Sequence, residues 1–308
     1  MSFPTFTSTT TAEEVATTFA EQIRGKNVLV TGTSIDGLGF EVARVLAKLK
    51  LSEEAIKKET PGANIRQLNL DLSSLAAVRK AAAEVNAYPE PLHVLIHNAA
   101  AGGGGFKLTV DGFESQIATA HIGPFLLTKL LAPKLLAART QSYTPRVVVV
   151  SSMAHARPPF DLDTVAHPNP DDYTIPDAYR QAKAANILFA IELSKRAIDK
   201  LNVYSLHPGV IYTNITKKEE SKAAFIAAGI LTPEGLPNIE KLFWKTLGQG
   251  AATTVVAAFD SRLDSKSGAF LVDCVEANDK VAPHCLDPDT ATKLWTITEE
   301  AVGGTFTF

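Results

Sequence analysis

Short apolar runs alternate along this chain with longer segments whose apolar residues recur at helical spacing. Asn27–Thr31 reads as a strand, and Leu38, Val42, Val45, Leu46 and Leu49 then fall on one helical face. In Ile65–Leu72 the leucines at 68, 70 and 72 lie on one side and Asn69 and Asp71 on the other, which predicts a half-buried strand. Further strands are predicted at Leu92–His97, Arg146–Ser151, Val203–His207 and Ala269–Asp273. Helical stretches at Leu75–Ala87 and near Phe113–Leu136, Tyr179–Lys200 and Ile239–Asp260 separate them. Strand and helix repeated in this order predict right-handed crossovers and an α/β fold with a doubly wound parallel sheet.

Thr11 followed by Glu14 has the form of a capping box, so a helix is expected over Ala12–Ile23. Residues 1–24 then read as a helical extension that braces a single domain over 25–308. Arg157–Pro176 carries five prolines and reads as a loop, whereas Ile215–Pro237 reads as a helical excursion able to close over a site. One stretch is anomalous. Between Leu49 and Asn64 there is no apolar run of β type, so the strand that should follow the first helix is expected to be missing.

Composition narrows the function classes. With 308 residues, 45% hydrophobic and 20% charged, the chain is expected to be globular and long enough for a large core. Its formal charge of -3 and scattered Lys and Arg offer no basic stripe, which argues against nucleic acid as a partner. The two cysteines, Cys274 and Cys285, form no zinc spacing with His284 and are read as free thiols, with no metal expected. The first 24 residues show neither a signal nor a transit pattern, and apolar runs such as Val147–Val150 and Ala223–Leu231 fall short of the roughly 20 residues of a membrane span. The expected compartment is the cytoplasm.

Candidate chemistry sits where strands end. Thr31-Gly32-Thr33-Ser34-Ile35-Asp36-Gly37-Leu38-Gly39 follows the first strand and opens a helix. Glycines there permit a tight turn and close backbone approach, and the helix N-terminus offers N–H groups and positive potential to a pyrophosphate. The same glycines in isolation are equally a plain turn. Asp71 is placed to reach an adenine edge or, as the plainer alternative, to prepare a helix start; Asn98 is either a site residue or a turn former.

Tyr179 and Lys183 are four apart on one helical face. An ammonium near the phenol favours phenolate and is expected to lower its pKa from about 10, making Tyr179 a general acid/base for an alcohol or carbonyl. Ser151-Ser152 ends a strand at the edge where such sheets bind ligands, and Ser152 can hold a substrate oxygen. A hydrolase is the rival use of that serine, but no GxSxG elbow is present. Pro208-Gly209 turns beside the same crevice.

Taken together, these residues resemble the short-chain dehydrogenase/reductase family, nearest its retinol-dehydrogenase-like and WW-domain-oxidoreductase-like branch, which is abundant in fungi. The likeness runs from about Thr11 to Gly303. It is carried by the glycine motif, Asp71-Leu72, Asn98-Ala99, Ser151-Ser152-Met153-Ala154-His155, Tyr179-Arg180-Gln181-Ala182-Lys183 with Ala185-Asn186, and His207-Pro208-Gly209 with Thr213, supported by Gln249-Gly250-Ala251-Ala252 and Leu294-Trp295.

The resemblance implies a Rossmann fold and hydride transfer between NADP or NAD, NADP slightly preferred, and a small-molecule alcohol or carbonyl. It implies Ser152, Tyr179 and Lys183 as catalytic, with Lys183 also holding the ribose. Gly32, Ser34, Gly37, Leu38, Gly39, Asp71, Leu72, Asn98, Ala99, Pro208, Gly209 and Thr213 would line the cofactor with Tyr179 and Lys183. It further implies homo-oligomers formed through the helices near Phe113–Leu136 and Tyr179–Lys200.

The chain departs from the pattern in four places. The glycine motif holds one extra residue between Gly32 and Gly37, and Ala100 replaces a glycine. Ala120 stands where the family has a fourth catalytic residue, an Asn whose carbonyl holds a relay water and whose side chain fixes a helix distortion. The short Leu49–Asn64 segment lacks the residues that would read the adenosine ribose, so poor discrimination between NAD and NADP is expected. Ala120 and that segment keep open a second reading, a catalytically impaired nucleotide-binding or interaction protein.

Overall fold

The computed structural model describes residues 4–49, 65–101, 104–157 and 159–308. Residues 50–64, within the stretch where the second strand is expected to be missing, lie outside the described residues. In chain order the elements are α1 (Ala12–Thr18), α2 (Ala20–Ile23), β1 (Val28–Val30), α3 (Leu38–Leu49), α4 (Leu75–Ala87), β2 (Val94–His97), α5 (Ser115–Ile117), α6 (Gly123–Leu136), β3 (Arg146–Val150), α7 (Asp163–Ala166) and α8 (Ile175–Arg196). They continue with β4 (Asn202–His207), β5 (Val210–Ile211), α9 (Asn214–Lys217), α10 (Glu219–Ala227), β6 (Trp244–Lys245), α11 (Leu247–Phe259), β7 (Phe270–Val272), β8 (Val275–Glu276) and α12 (Pro288–Val302).

The main sheet has the order β1-β2-β3-β4-β7-β8, parallel except for β8. β2, β3 and β7 are buried along their whole length, which is why they read as apolar runs. Period-2 alternation splits β2, β3 and β4 between two cores. Leu95, Val147, Val149 and Val203 pack with α4, α6, α8 and α12, whereas Val94, Ile96, Val148 and Leu206 pack with α1, α3 and α11. The Asp273-Cys274 turn into β8 has φ of 52° and 69°, the paired left-handed geometry of a two-residue hairpin. Both cysteines are buried, and burial pushes their thiols up to about 11 and about 12.

The α1 capping box forms as predicted: the Thr11 N–H donates to Glu14 Oε2 at 2.7 Å, and the Glu14 N–H to Thr11 Oγ1 at 3.3 Å. The expected single helix breaks at Phe19 into α1 and α2. Arg44 on α3 joins Glu41 at 2.8 Å and also pairs with Glu13, so the extension is pinned to α3.

Several sequence expectations are corrected. Ile65–Leu72 is not a strand: the backbone of 65–70 finds no ladder partner among the described residues, although Leu68 and Leu70 pack against the core and Leu72 is buried. An alternating pattern supplies the apolar face of a strand, but only a neighbour supplies the hydrogen bonds. The loop expected over Arg157–Pro176 contains α7 and ends early, because Thr174 caps α8 through the Asp177 N–H and Pro176 is tolerated in the first turn. Helix α11 starts at Leu247, after Trp244–Lys245 pairs with Val210–Ile211.

Trp295 of α12 packs on Phe125 of α6 at 4.8 Å and on Phe189 of α8 at 6.2 Å between ring centres, and Phe306 stacks on Trp295. Part of the helical face that the resemblance gives to a second copy is thus covered by the chain's own C-terminal segment.

Candidate active site

The C-terminal ends of β1, β2, β3 and β4 open on one edge of the sheet, where α/β folds of this kind bind ligands. At the end of β1, Thr31 Oγ1 accepts the N–H groups of Asn98 and Ala99, both at 3.1 Å. Asn98 Nδ2 in return donates to the carbonyls of Thr31 (3.1 Å) and Gly32 (3.2 Å). Gly32 has φ +72°, and a Cβ there would lie 2.6 Å from Ala99 Cα, so only glycine lets the two strand ends close up. The extra residue of the motif is absorbed locally: the Gly37 N–H donates to the Ser34 carbonyl at 2.9 Å, and Asp36 takes the left-handed conformation with φ 59°.

From this turn α3 begins, with Gly37 O accepting the Glu41 N–H. The first N–H groups of a helix, here around Leu38 and Gly39, have no intrahelical acceptor and point out of its positive end. The glycine loop and this helix start fit the diphosphate of a dinucleotide. Asn214 Nδ2 donates to Ile35 O at 2.7 Å, which ties the excursion after β5 to the loop and sets the neighbouring Thr213 beside it. Asp71 stands apart: its Oδ1 accepts the N–H (2.9 Å) and hydroxyl (2.6 Å) of Ser73, as in the plainer of its two readings, and the side chain is exposed. Leu72 is buried, and its carbonyl lies 2.3 Å from where a Cβ on Gly123 would sit.

Ser152 leaves β3 in an extended conformation and accepts the Ala154 N–H at 3.2 Å. Its backbone is held by His155, whose Nε2 accepts from the Ala282 N–H (3.2 Å), so that Nδ1–H donates to Ser152 O (2.7 Å). The half-buried Tyr179 and the buried Lys183 come from α8, with the ammonium 5.6 Å from the phenol ring centre. The expected lowering of the phenol pKa is not what this geometry gives. Burial raises it, the adjacent Ser152 hydroxyl pulls the other way, and Lys183 is not among the causes. The ammonium instead donates to the Val150 carbonyl at 2.9 Å, and burial lowers Lys183 to about 8. In a desolvated site the loss of hydration outweighs an unpaired charge at that separation.

On the next strand the Met153 N–H donates to His207 Nδ1 at 3.3 Å, and burial first of all brings His207 down to about 4. Pro208 leads into Gly209, whose φ of +102° and place 2.6 Å (Cβ position) from Lys245 Cδ exclude a side chain. Lys245 is fixed there by Asp273 at 2.5 Å.

Ala120 lies in a π-helical turn over Ala118–Ile122, in which the Gly123 N–H reaches back to Ala118 O. The helix distortion therefore persists without an Asn side chain. Pro124 gives the reason, because it has no N–H to close an α-helical bond onto the Ala120 carbonyl. This turn packs on α8, which carries Tyr179 and Lys183. We expect Ala120→Asn to raise turnover, measured at saturating substrate, with unchanged cofactor affinity; a fall in turnover in a correctly folded variant would show a site rebuilt around alanine.

Ser152, Tyr179 and Lys183 are thus brought together, and Gly32, Ser34, Gly37, Leu38, Gly39, Asn98, Ala99, Pro208, Gly209 and Thr213 lie along the same edge. Sequence reasoning missed the bridging role of Thr31 and the link from Asn214 to Ile35, and it quoted Asn186 without giving its amide a role. Only Asn186 carried a usable signal, standing seven positions after Tyr179 and so two turns along one helical face.

Residues 26–163 match the family described as short chain dehydrogenase. The chloroplastic short-chain dehydrogenase TIC 32 A of Brassica napus is 34% identical, over 94% of this chain and 91% of that protein. Human retinol dehydrogenase 12 is 32% identical, over 92% of this chain and 88% of its own length. A solved Mycobacterium paratuberculosis protein of uncharacterized function superposes with a TM-score of 0.65 at 29% identity, covering 93% of this chain and 96% of that one. The chain belongs to the short-chain dehydrogenase/reductase family. Its Rossmann-type sheet and its relatives define the class as an oxidoreductase fold. No described helix is long and apolar enough to cross a membrane.

Proposed function

We propose that this protein is an NAD(P)-dependent oxidoreductase that interconverts an alcohol and a carbonyl. The observation that carries the proposal is the convergence of the Ser152 hydroxyl, the Tyr179 phenol and the Lys183 ammonium at the sheet edge, beside a glycine loop that fits a dinucleotide. The bound nicotinamide would supply or take the hydride. Ser152 orients the substrate oxygen, and Tyr179 Oη gives it a proton in reduction or takes one in oxidation. Lys183 places its positive charge behind the phenol. Gly32, Gly37 and Gly39 admit the diphosphate, and Asn98 and Ala99 brace the loop.

The substrate we propose is apolar. Exposed Leu236, Ile239 and Phe243 lie on the excursion that leaves the site after Gly209 and returns at Lys245, and one relative is a retinol dehydrogenase. Nicotinamide fluorescence on mixing the protein with NADPH or NADH tests the reading. Binding of at least one cofactor, followed by its oxidation with an apolar aldehyde or ketone, is the expected result. No binding of either leaves a scaffold without cofactor chemistry.

A further inference from the structure

The buried amide of Asn186 is unexplained by packing alone. Its Nδ2 donates to the Val150 carbonyl at 3.1 Å, the same oxygen that accepts Lys183 Nζ at 2.9 Å. An amide facing a carbonyl must present its nitrogen, so Oδ1 is directed away from it. That Oδ1 is buried and has no hydrogen-bond partner among the described residues. Leaving a buried acceptor unmade is expensive, and native proteins rarely tolerate it without a use.

Lys183 shows the complementary deficit. An ammonium has three N–H donors, and the Val150 carbonyl is its one acceptor among the described residues. The side chain is 3% exposed, so bulk water does not satisfy the rest. Two donors on one carbonyl oxygen place Nζ and the Asn186 amide within the span that one water bridges. Residue 186 also lies three positions after Lys183, on the same face of α8.

We infer that Asn186 is a positioning residue for Lys183: through one bridging water its Oδ1 accepts a second N–H of the ammonium, holding the charge in the site. This inference deepens the proposed oxidoreductase reading and rests on Lys183 acting there. Asn186 acts through Lys183 and has no contact with the reacting atoms assigned to it. The elements packed against α8 carry His121, His155, His207, His284, Cys285, Tyr204, Arg146, Glu219, Lys222, Asp289, Lys293, Glu299 and Glu300, and α8 itself carries Asp177, Tyr179, Arg180, Glu192, Lys195 and Arg196. None of them exerts a charge effect on Lys183, for which burial is the one cause of its shift. An acceptor placed beside Nζ is therefore the effective handle on its protonation.

The test is a pH titration of the protein without cofactor, followed by NMR on lysine labelled with carbon-13 at Cε, the Lys183 signal being assigned with Lys183→Arg. Asn186→Leu should lower the Lys183 midpoint by roughly one unit, and Asn186→Asp, which sets a carboxylate at the same place, should raise it by a similar amount. Shifts of opposite sign distinguish an electrostatic role from mere packing. Midpoints within about 0.3 units of the unsubstituted protein, or moved in the same direction by both variants, overturn the inference. Should Asn186→Leu fail to fold, Asn186→Asp decides alone: a raised midpoint supports the inference and an unmoved one overturns it. Because no turnover is needed, failure here is distinct from failure of the oxidoreductase reading, which Tyr179→Phe turnover reports.

Discussion

Tyr179→Phe is expected to reduce turnover by roughly 10²–10⁴-fold while leaving cofactor binding nearly intact. The substitution removes one hydroxyl and keeps the ring that packs near Lys183. Ser152 is the remaining hydroxyl beside the phenol, and it already accepts the Ala154 N–H. A serine hydroxyl is a poor proton donor at neutral pH, so it orients the substrate without replacing the phenol. The raised phenol pKa sharpens the expectation: reduction, in which Tyr179 starts protonated, should be retained across neutral pH, and oxidation should improve as pH rises toward the phenol's own range. Steady-state rates in both directions check this. Unchanged turnover in Tyr179→Phe removes the mechanism.

Gly39→Val should weaken NADPH or NADH binding by at least about a hundredfold, roughly 2.8 kcal/mol. A Cβ at this position would lie 2.3 Å from Asn98 Nδ2 and 2.5 Å from the Gly32 carbonyl, both too close for any real contact. Asn98 is the group that ties the glycine loop to β2 through Thr31 O and Gly32 O. The larger side chain must therefore displace Asn98 or lift the start of α3, and either motion moves the N–H groups offered to the diphosphate. The fitting control is Gly105→Ala, where a Cβ meets nothing within 4 Å, and no loss of affinity is expected. Fluorescence titration of both variants decides the matter. Full affinity in Gly39→Val would show that this helix start does not hold the cofactor.

Much of the architecture was legible in the amino-acid order because its signals are local. Strands buried on both faces need unbroken apolar runs, and Arg146–Val150 and Val94–His97 show them. A helix start declares itself through Thr11 with Glu14. The spacing of Tyr179 and Lys183 places both on one face of α8 before anything is known of the sheet.

What tertiary structure decided depends on groups far apart in the chain. Ile65–Leu72 has a strand's alternation but no ladder among the described residues, because hydrogen-bond partners come from another segment. The π-turn at Ala120 survives without its expected side chain because Pro124 withholds a backbone donor, a consequence visible only once the helix geometry is known. The direction of the Tyr179 shift, and the turning of Lys183 and Asn186 onto Val150, follow from desolvation by distant elements. Amino-acid order by itself determined the periodicities, the turns and the spacing of reactive groups; folding decided which of them lose water and which partners remain, since burial is a property of the assembled layers.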